Sequence, residues 1–445
     1  MTVDPASILP SVSIPKDAHK QQSEDSLVSE LQNICCNALS SGHIDSFTDL
    51  FLLLHPEAPC SLPLAALSSR NDHSPLISDI TSLSSLSLHL TEAESALDQS
   101  SLTSLYSHSL SASTILTEGQ SYPLAIKMIE RSVSVAESSN DSHSLLFLAS
   151  YGISVYTSFI HHILSNPFYC FDVSCVAPDA LDPPSAASVQ SLVSSDAYLE
   201  CSSLYRTAVS LGDLGLEIIY NSGNVISSSK IKVIEPFRNV PQEEVLQNIR
   251  DLFIEAGNFL SLDPNFPKND ELLSEIISLN RKALSLTTRI NSEFQEFNDN
   301  QSKFISYINL ARSLSHSDLF EAVSCCYSAI DSVSADPDLV VLACCTIVKY
   351  LATDMEANAD EISSAIKKAE LFCGDSDELK VKVSELTAFL LTRGESYSKA
   401  VPILQNTYDM ALRSPDKSIN RKALKLSLGI AKSQQSLEEI FKKMG

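Results

Sequence analysis

Thr117-Glu118-Gly119-Gln120-Ser121-Tyr122-Pro123-Leu124-Ala125-Ile126 recurs far along the chain as Thr392-Arg393-Gly394-Glu395-Ser396-Tyr397-Ser398-Lys399-Ala400-Val401. Each copy lies between two amphipathic stretches, and self-similarity of this kind marks stacked helical hairpins, in which one repeat cannot bury its apolar face alone. Thr117 and Thr392 are expected to end a helix, Gly119 and Gly394 to supply the backbone freedom of a tight turn, and Ser121 and Ser396 to cap the helix that follows. Ala125 follows Tyr122 by three residues, as Ala400 follows Tyr397. That spacing places ring and methyl on one helix face, and the small residue lets a neighbouring helix approach closely. The expected fold class is all-α, a solenoid of antiparallel helical hairpins.

The same second-helix spacing recurs in Ala322, Cys326, Ala329 and Ile330, and more loosely in Ala365 and Ala369. Ala322, Ala365 and Ala400 lie 43 and 35 residues apart, near the length of a hairpin with its turns. Here the chain resembles the tetratricopeptide repeat (TPR) proteins, whose second helix carries Gly-x-Tyr-x-x-Ala before further apolar positions. In this chain the glycine precedes the tyrosine by three residues, and the first-helix Trp of that family is missing from a chain with no Trp. The resemblance covers a third to a half of the sequence. It implies a right-handed TPR-like solenoid that binds extended peptides or partner helices.

The 445 residues allow two or three globular domains or one continuous array, because a solenoid gives each repeat only neighbouring contacts. Residues 1–24, rich in Pro, Ser, Asp and Lys, predict a disordered segment. An N-terminal helical array is expected over 25–222, broken at 166–186 by Pro167, Pro178, Pro183 and Pro184. Within it Gly212-Asp213-Leu214-Gly215 reads as a turn between helices at 187–211 and 213–222. A linker follows at 223–241, and a C-terminal TPR-like array at 242–445, with helices at 242–260, 269–295, 301–315, 318–334, 338–353, 358–372, 376–392, 396–412 and a terminal capping helix at 417–443. Prolines at Asp336-Pro337 and Ser414-Pro415 mark hairpin boundaries.

The formal charge is −24, and residues 1–230 hold −17 of it. A field of that sign repels phosphate backbones and anionic membranes, so direct nucleic-acid binding is not expected. Partners are expected to be other proteins, including those with basic surfaces or tails. Residues 413–445 depart from the trend, with eight basic and three acidic side chains and an apolar set of Leu424, Leu426, Leu428, Ile430, Leu437, Ile440 and Phe441. They read as a helix that caps the last hairpin or docks an acidic partner.

Eleven cysteines include the adjacent pairs Cys35-Cys36, Cys325-Cys326 and Cys344-Cys345. Helical neighbours point about 100° apart, which suits small buried hydrophobes better than disulfides and favours a reducing, cytoplasmic or nuclear location. His161-His162 and Cys170 with Cys175 lack the second ligand pair a zinc site needs. The uncharged stretch Ser142 to Phe171 is long enough to span a membrane, but its Ser, Thr and His content and its helical stripe favour a buried central helix. Phosphate-loop, His-Glu-x-x-His, Gly-x-Ser-x-Gly and dinucleotide signatures are all missing, so neither catalysis nor a cofactor is expected.

The expected function is a non-catalytic scaffold or adaptor that holds partners along a groove lined by the first helices of successive hairpins, within 301–412. Tyr307, Arg312, Lys368 and Lys399 are the candidate polar contacts; Gly119, Tyr122, Ala125, Ala322, Ala329, Ala365, Gly394, Tyr397 and Ala400 are the expected repeat-packing residues. The alternatives are a helical subunit of a proteasome-lid, signalosome or initiation-factor type complex, a vesicle-trafficking adaptor resembling the soluble attachment proteins, and a helical enzyme with no recognisable motif.

Overall fold

The computed structural model describes residues 80–167, 171–177, 186–193, 195–221, 242–294, 300–414 and 420–444, with a few isolated positions between 33 and 49. The expected disorder at 1–24, the part of the expected array before residue 80 and the linker at 223–241 lie outside these residues or rest on those few positions. Every described element is helical: α1 (Ile80–Asp98), α2 (Leu102–Glu118), α3 (Tyr122–Ser138), α4 (Ser142–Leu164), α5 (Ala186–Val193), α6 (Asp196–Asn221), α7 (Gln242–Leu260), α8 (Asp270–Glu293), α9 (Asn300–Leu314), α10 (Leu319–Ser332), α11 (Pro337–Leu351), α12 (Ala359–Cys373), α13 (Asp377–Arg393), α14 (Tyr397–Arg413) and α15 (Arg421–Met444), with a single 3₁₀ turn at Val173–Cys175. The fold is an all-α solenoid type, built as two compact units, Met1–Ser174 with Pro184–Leu252 and Cys175–Pro183 with Phe253–Gly445.

In the first unit α1 through α4 pack each on the next, and α6 packs on α4. Three turns here repeat at a fixed interval. Ser100, Gln120 and Asn140 have φ of 57°, 60° and 54°, and Glu395 in the second unit has 54°. At each, the amide of the left-handed residue bonds the carbonyl three residues back, and the next amide bonds the carbonyl five residues back, as in Gln120 to Thr117 at 3.0 Å and Ser121 to Leu116 at 2.7 Å. That paired closure satisfies the last carbonyls of the helix and reverses the chain in three residues. The left-handed position falls one residue after the expected glycine, since Gly119 and Gly394 have φ of −80° and −85°. Nor do Ser121 and Ser396 cap through their side chains. The Ser121 hydroxyl is buried without a partner among the described residues.

Helix α4 is the central element of this unit. It is long and apolar enough to cross a membrane, yet 72% of its most apolar window is buried inside the fold. Tyr122 of α3 stacks on Phe159 of α4 at 5.2 Å between ring centroids, with Ala125 fully buried beside it. Tyr156 donates to Glu130 Oε1 at 2.6 Å, which closes α4 onto α3. Gly152 lets the helices approach: a Cβ there would meet Ile129 and Leu211 at 3.1 Å. The expected turn at Gly212–Gly215 is instead helix interior. The break falls between Val193 and Asp196, and Gly215 is small because Ile249 of α7 lies 3.2 Å from where its Cβ would stand.

In the second unit consecutive helices from α8 to α15 pack pairwise. Their starts follow from local chemistry: Asn269, Asp318, Asp336 and Ser376 each accept from backbone amides of the first helical turn. The core runs from Phe304, Ile308 and Ala311 of α9 through Ala322, Cys326 and Ala329 of α10, Val340 and Cys344 of α11, and Ala365 and Ala369 of α12 to Leu386 of α13. The expected packing alanines are all at 2% exposure or less, whereas Tyr397 is half-buried.

Candidate docking face on the C-terminal helix

The four residues singled out as polar contacts are distributed over three helices. Tyr307, on α9, is half-buried and packs against the core. Arg312, also on α9, and Lys368, on α12, are half-buried too, and each acts electrostatically on a side chain of α11. Burial pushes the Tyr350 hydroxyl up to about 12, with the Arg312 charge opposing. Burial likewise pushes the Cys344 thiol up to about 11, with Lys368 opposing. Lys399 stands exposed in the first turn of α14, on a different hairpin.

The C-terminal helix presents a more coherent surface. Leu424, Leu428 and Ala431 are buried against Val381 and Ala388 of α13 and Leu404 and Ala411 of α14. Arg421 clamps the end of α14, donating to the carbonyls of Ala411 at 2.8 Å and Ser414 at 2.6 Å, a cation placed where a helix exposes its last oxygens. Farther along, Lys432 donates to Gln405 Oε1 at 2.9 Å. The partners on α14 fall in number as those on α15 rise, so the two helices run antiparallel.

At about 100° per residue, Leu426, Ile430, Leu437, Ile440 and Phe441 form one stripe opposite this buried face. They are 66%, 51%, 46%, 50% and 68% exposed, and they make up five of the twelve exposed large hydrophobic side chains among the described residues. Helix α15 has 24 residues and α14 has 17, so it reaches about 10 Å farther than its partner at about 1.5 Å per residue. Exposed Lys422 and Lys425 flank the start of the stripe. With six basic and two acidic side chains α15 carries +4, against −28 for the other 421 residues.

Near the start of the stripe Gly429 floors an open depression of about 680 Å³, edged by Lys425, Leu426, Ile430 and Ser433. A Cβ built on Gly429 would meet nothing within 4 Å. Glycine in a helix interior costs roughly 1 kcal/mol relative to alanine, and no packing among the described residues requires it here. The apolar and basic composition of this tail was visible in the sequence. Which face α13 and α14 cover was not, because that depends on contacts across 10 to 43 residues.

The cysteines of the second unit behave as hydrophobes. Cys325, Cys326, Cys344, Cys345 and Cys373 are free thiols buried in the core. Burial raises each of them, Cys326 to about 12. Among the described residues no group of three or more His, Cys, Asp and Glu side chains could hold a metal ion.

Fold and surface together define a helical-repeat protein with an open apolar face at the end of its second unit. No family model matches the chain, and no curated protein matches it. Among solved structures it is similar to a circular tandem repeat protein with novel repeat topology and enhanced subunit contact surfaces, at 12% identity and a TM-score of 0.34, over 96% of this chain and 93% of that one. A likeness at that score adds no argument to the helix packing described above.

Proposed function

We propose that this chain is a non-catalytic protein-interaction scaffold, a helical-repeat subunit that holds other proteins within a larger assembly in the cytoplasm or nucleus. The observation that carries the proposal is the α15 stripe, where five large apolar side chains stand in water on one helix face. Contiguous exposed apolar surface on a folded protein marks an interaction site. Covering a Leu, Ile or Phe side chain fully contributes about 1.5–3 kcal/mol, so the stripe is a strong source of binding energy and a liability when bare. The Tyr-x-x-Ala spacing of α3 and α14 supports a TPR-like subtype, and the acidity of the chain supports protein partners over nucleic acid or anionic membrane. Arg312 and Lys368 beside α11 are the proposed polar contacts of a second, groove-type site.

Purification of the full chain from its native cells, with the mass of the species measured by sedimentation, tests this proposal. A stoichiometric heteromeric complex is expected. A lone monomer, or turnover in a broad substrate screen, overturns it.

A further inference from the structure

We propose that the α15 stripe receives an acidic amphipathic helix from a partner protein, crossing at Gly429. This rests on the scaffold reading and names the chemistry of the occupant. Three features converge. The stripe Leu426, Ile430, Leu437, Ile440 and Phe441 has the spacing on which another helix lays its own apolar row. Gly429 has open space where a side chain would be, in a shallow depression beside Leu426 and Ile430, and small residues at a crossing let two helices come close. Lys422 and Lys425 lie exposed at the edge of that depression, and no acidic residue occurs on α15 before Glu438.

Charge selects among occupants. A second copy pairing α15 with α15 would bring two helices of +4 together, and like charges in register oppose such an interface. An anionic bilayer would meet the −28 carried by the rest of the chain. A single partner helix with Asp and Glu flanking its apolar row lies along the +4 of α15, within a Debye length of about 8 Å at 0.15 M salt, whereas a bilayer extends past it over the acidic remainder.

The test is fluorescence anisotropy with the full chain and three synthetic helical peptides, each of about the length of α15. One carries a Leu row flanked by Glu, one the same row flanked by Lys, and one the Glu flanks with Ser replacing Leu. The acidic Leu peptide is expected to bind at least about tenfold more tightly than the other two. Lys422→Glu with Lys425→Glu is expected to reverse the preference, and Gly429→Leu to weaken binding about tenfold without lowering the melting temperature. Equal affinity for acidic and basic peptides, no binding of the acidic peptide at about 100 μM, or full affinity in Gly429→Leu overturns the assignment. So does a concentration-dependent dimer abolished by Leu426→Asp, which gives the face to a second copy, or co-sedimentation with phosphatidylcholine vesicles holding about one third phosphatidylserine. A native heteromeric complex that survives Gly429→Leu and the charge reversal sinks the acidic-helix assignment and leaves the scaffold reading standing; a native monomer sinks both.

Discussion

Glu395 and Gln120 sit in left-handed conformations that cost an ordinary residue roughly 1–2 kcal/mol, while the glycines beside them occupy backbone any residue tolerates. Glu395→Gly is therefore expected to stabilise the second unit by about 0.5–1 kcal/mol. Gly394→Ala is expected to be close to neutral, its Cβ meeting Leu390, Met355 and Leu391 at 3.5–3.9 Å. Denaturant titration of the two variants checks this, and a loss in both would refute the turn geometry. The thiols make a second prediction at this scale. Burial raises Cys326 to about 12 and Cys344 to about 11, from 9.0. A group raised in the folded state contributes stability that is complete below its unfolded value and is lost as pH climbs through the folded one. Melting temperature should fall steadily from pH 9 upward, and Cys326→Ala should flatten that limb at the cost of a small cavity. At pH 8 the Cys326 thiolate fraction is on the order of one in ten thousand, so iodoacetamide should label it only as the unit opens. Labelling as fast as in a denatured control would contradict the buried assignment.

Helix boundaries were largely legible because their signals are local. Asn269, Asp318, Asp336 and Ser376 accept amides of their own first turns, and Pro337 opens α11 at a position that needs no donor. Glycines are harder to read, because some answer to neighbours far away in sequence, or to none, and Gly215, expected in a turn, is one of them. Gly152 and Gly215 sit in helix interiors because other helices crowd them, whereas Gly429 faces open space. Gly152 and Gly429 should respond to alanine with opposite signs. Gly152→Ala gains about 1 kcal/mol of helix propensity but forces Ile129 and Leu211 apart, an overpacking cost of about 1–3 kcal/mol, so net destabilisation is expected. Gly429→Ala keeps the propensity gain and should raise the melting temperature by about 2–4 °C. Pro402 presents a related case. It is exposed inside α14 and lacks the amide that would bond the Ser398 carbonyl, so Pro402→Ala should stabilise by about 1–2 kcal/mol. Calorimetry on the three variants decides, and a destabilised Gly429→Ala would mean that something inside the chain needs the glycine.

At the scale of the molecule, a formal charge of −24 sets self-repulsion against a set of exposed ion pairs. Arg281 bonds Glu321 through both carboxylate oxygens at 2.8 and 2.9 Å, Arg289 bonds Glu293 at 2.9 Å and Lys382 bonds Glu378 at 2.7 Å. Each such surface pair contributes about 0–1 kcal/mol and weakens as salt is added. Repulsion among the excess carboxylates is summed over the whole surface, and it reaches about 30 Å at 0.01 M salt but only about 8 Å at 0.15 M. The summed term outweighs the few local ones, so the melting temperature should rise with sodium chloride between those concentrations. A fall would show that the pairs dominate. Lys422→Glu with Lys425→Glu sharpens the comparison, because it replaces two positive charges by two negative ones at exposed sites and leaves the buried face of α15 untouched. That variant should melt lower than the parent at 0.01 M salt and match it closely at 0.15 M, which separates a change in long-range charge from a change in packing. A deficit that persists undiminished at the higher concentration would mean that the two lysines hold the helix in place, and that the stripe they flank is not a free surface.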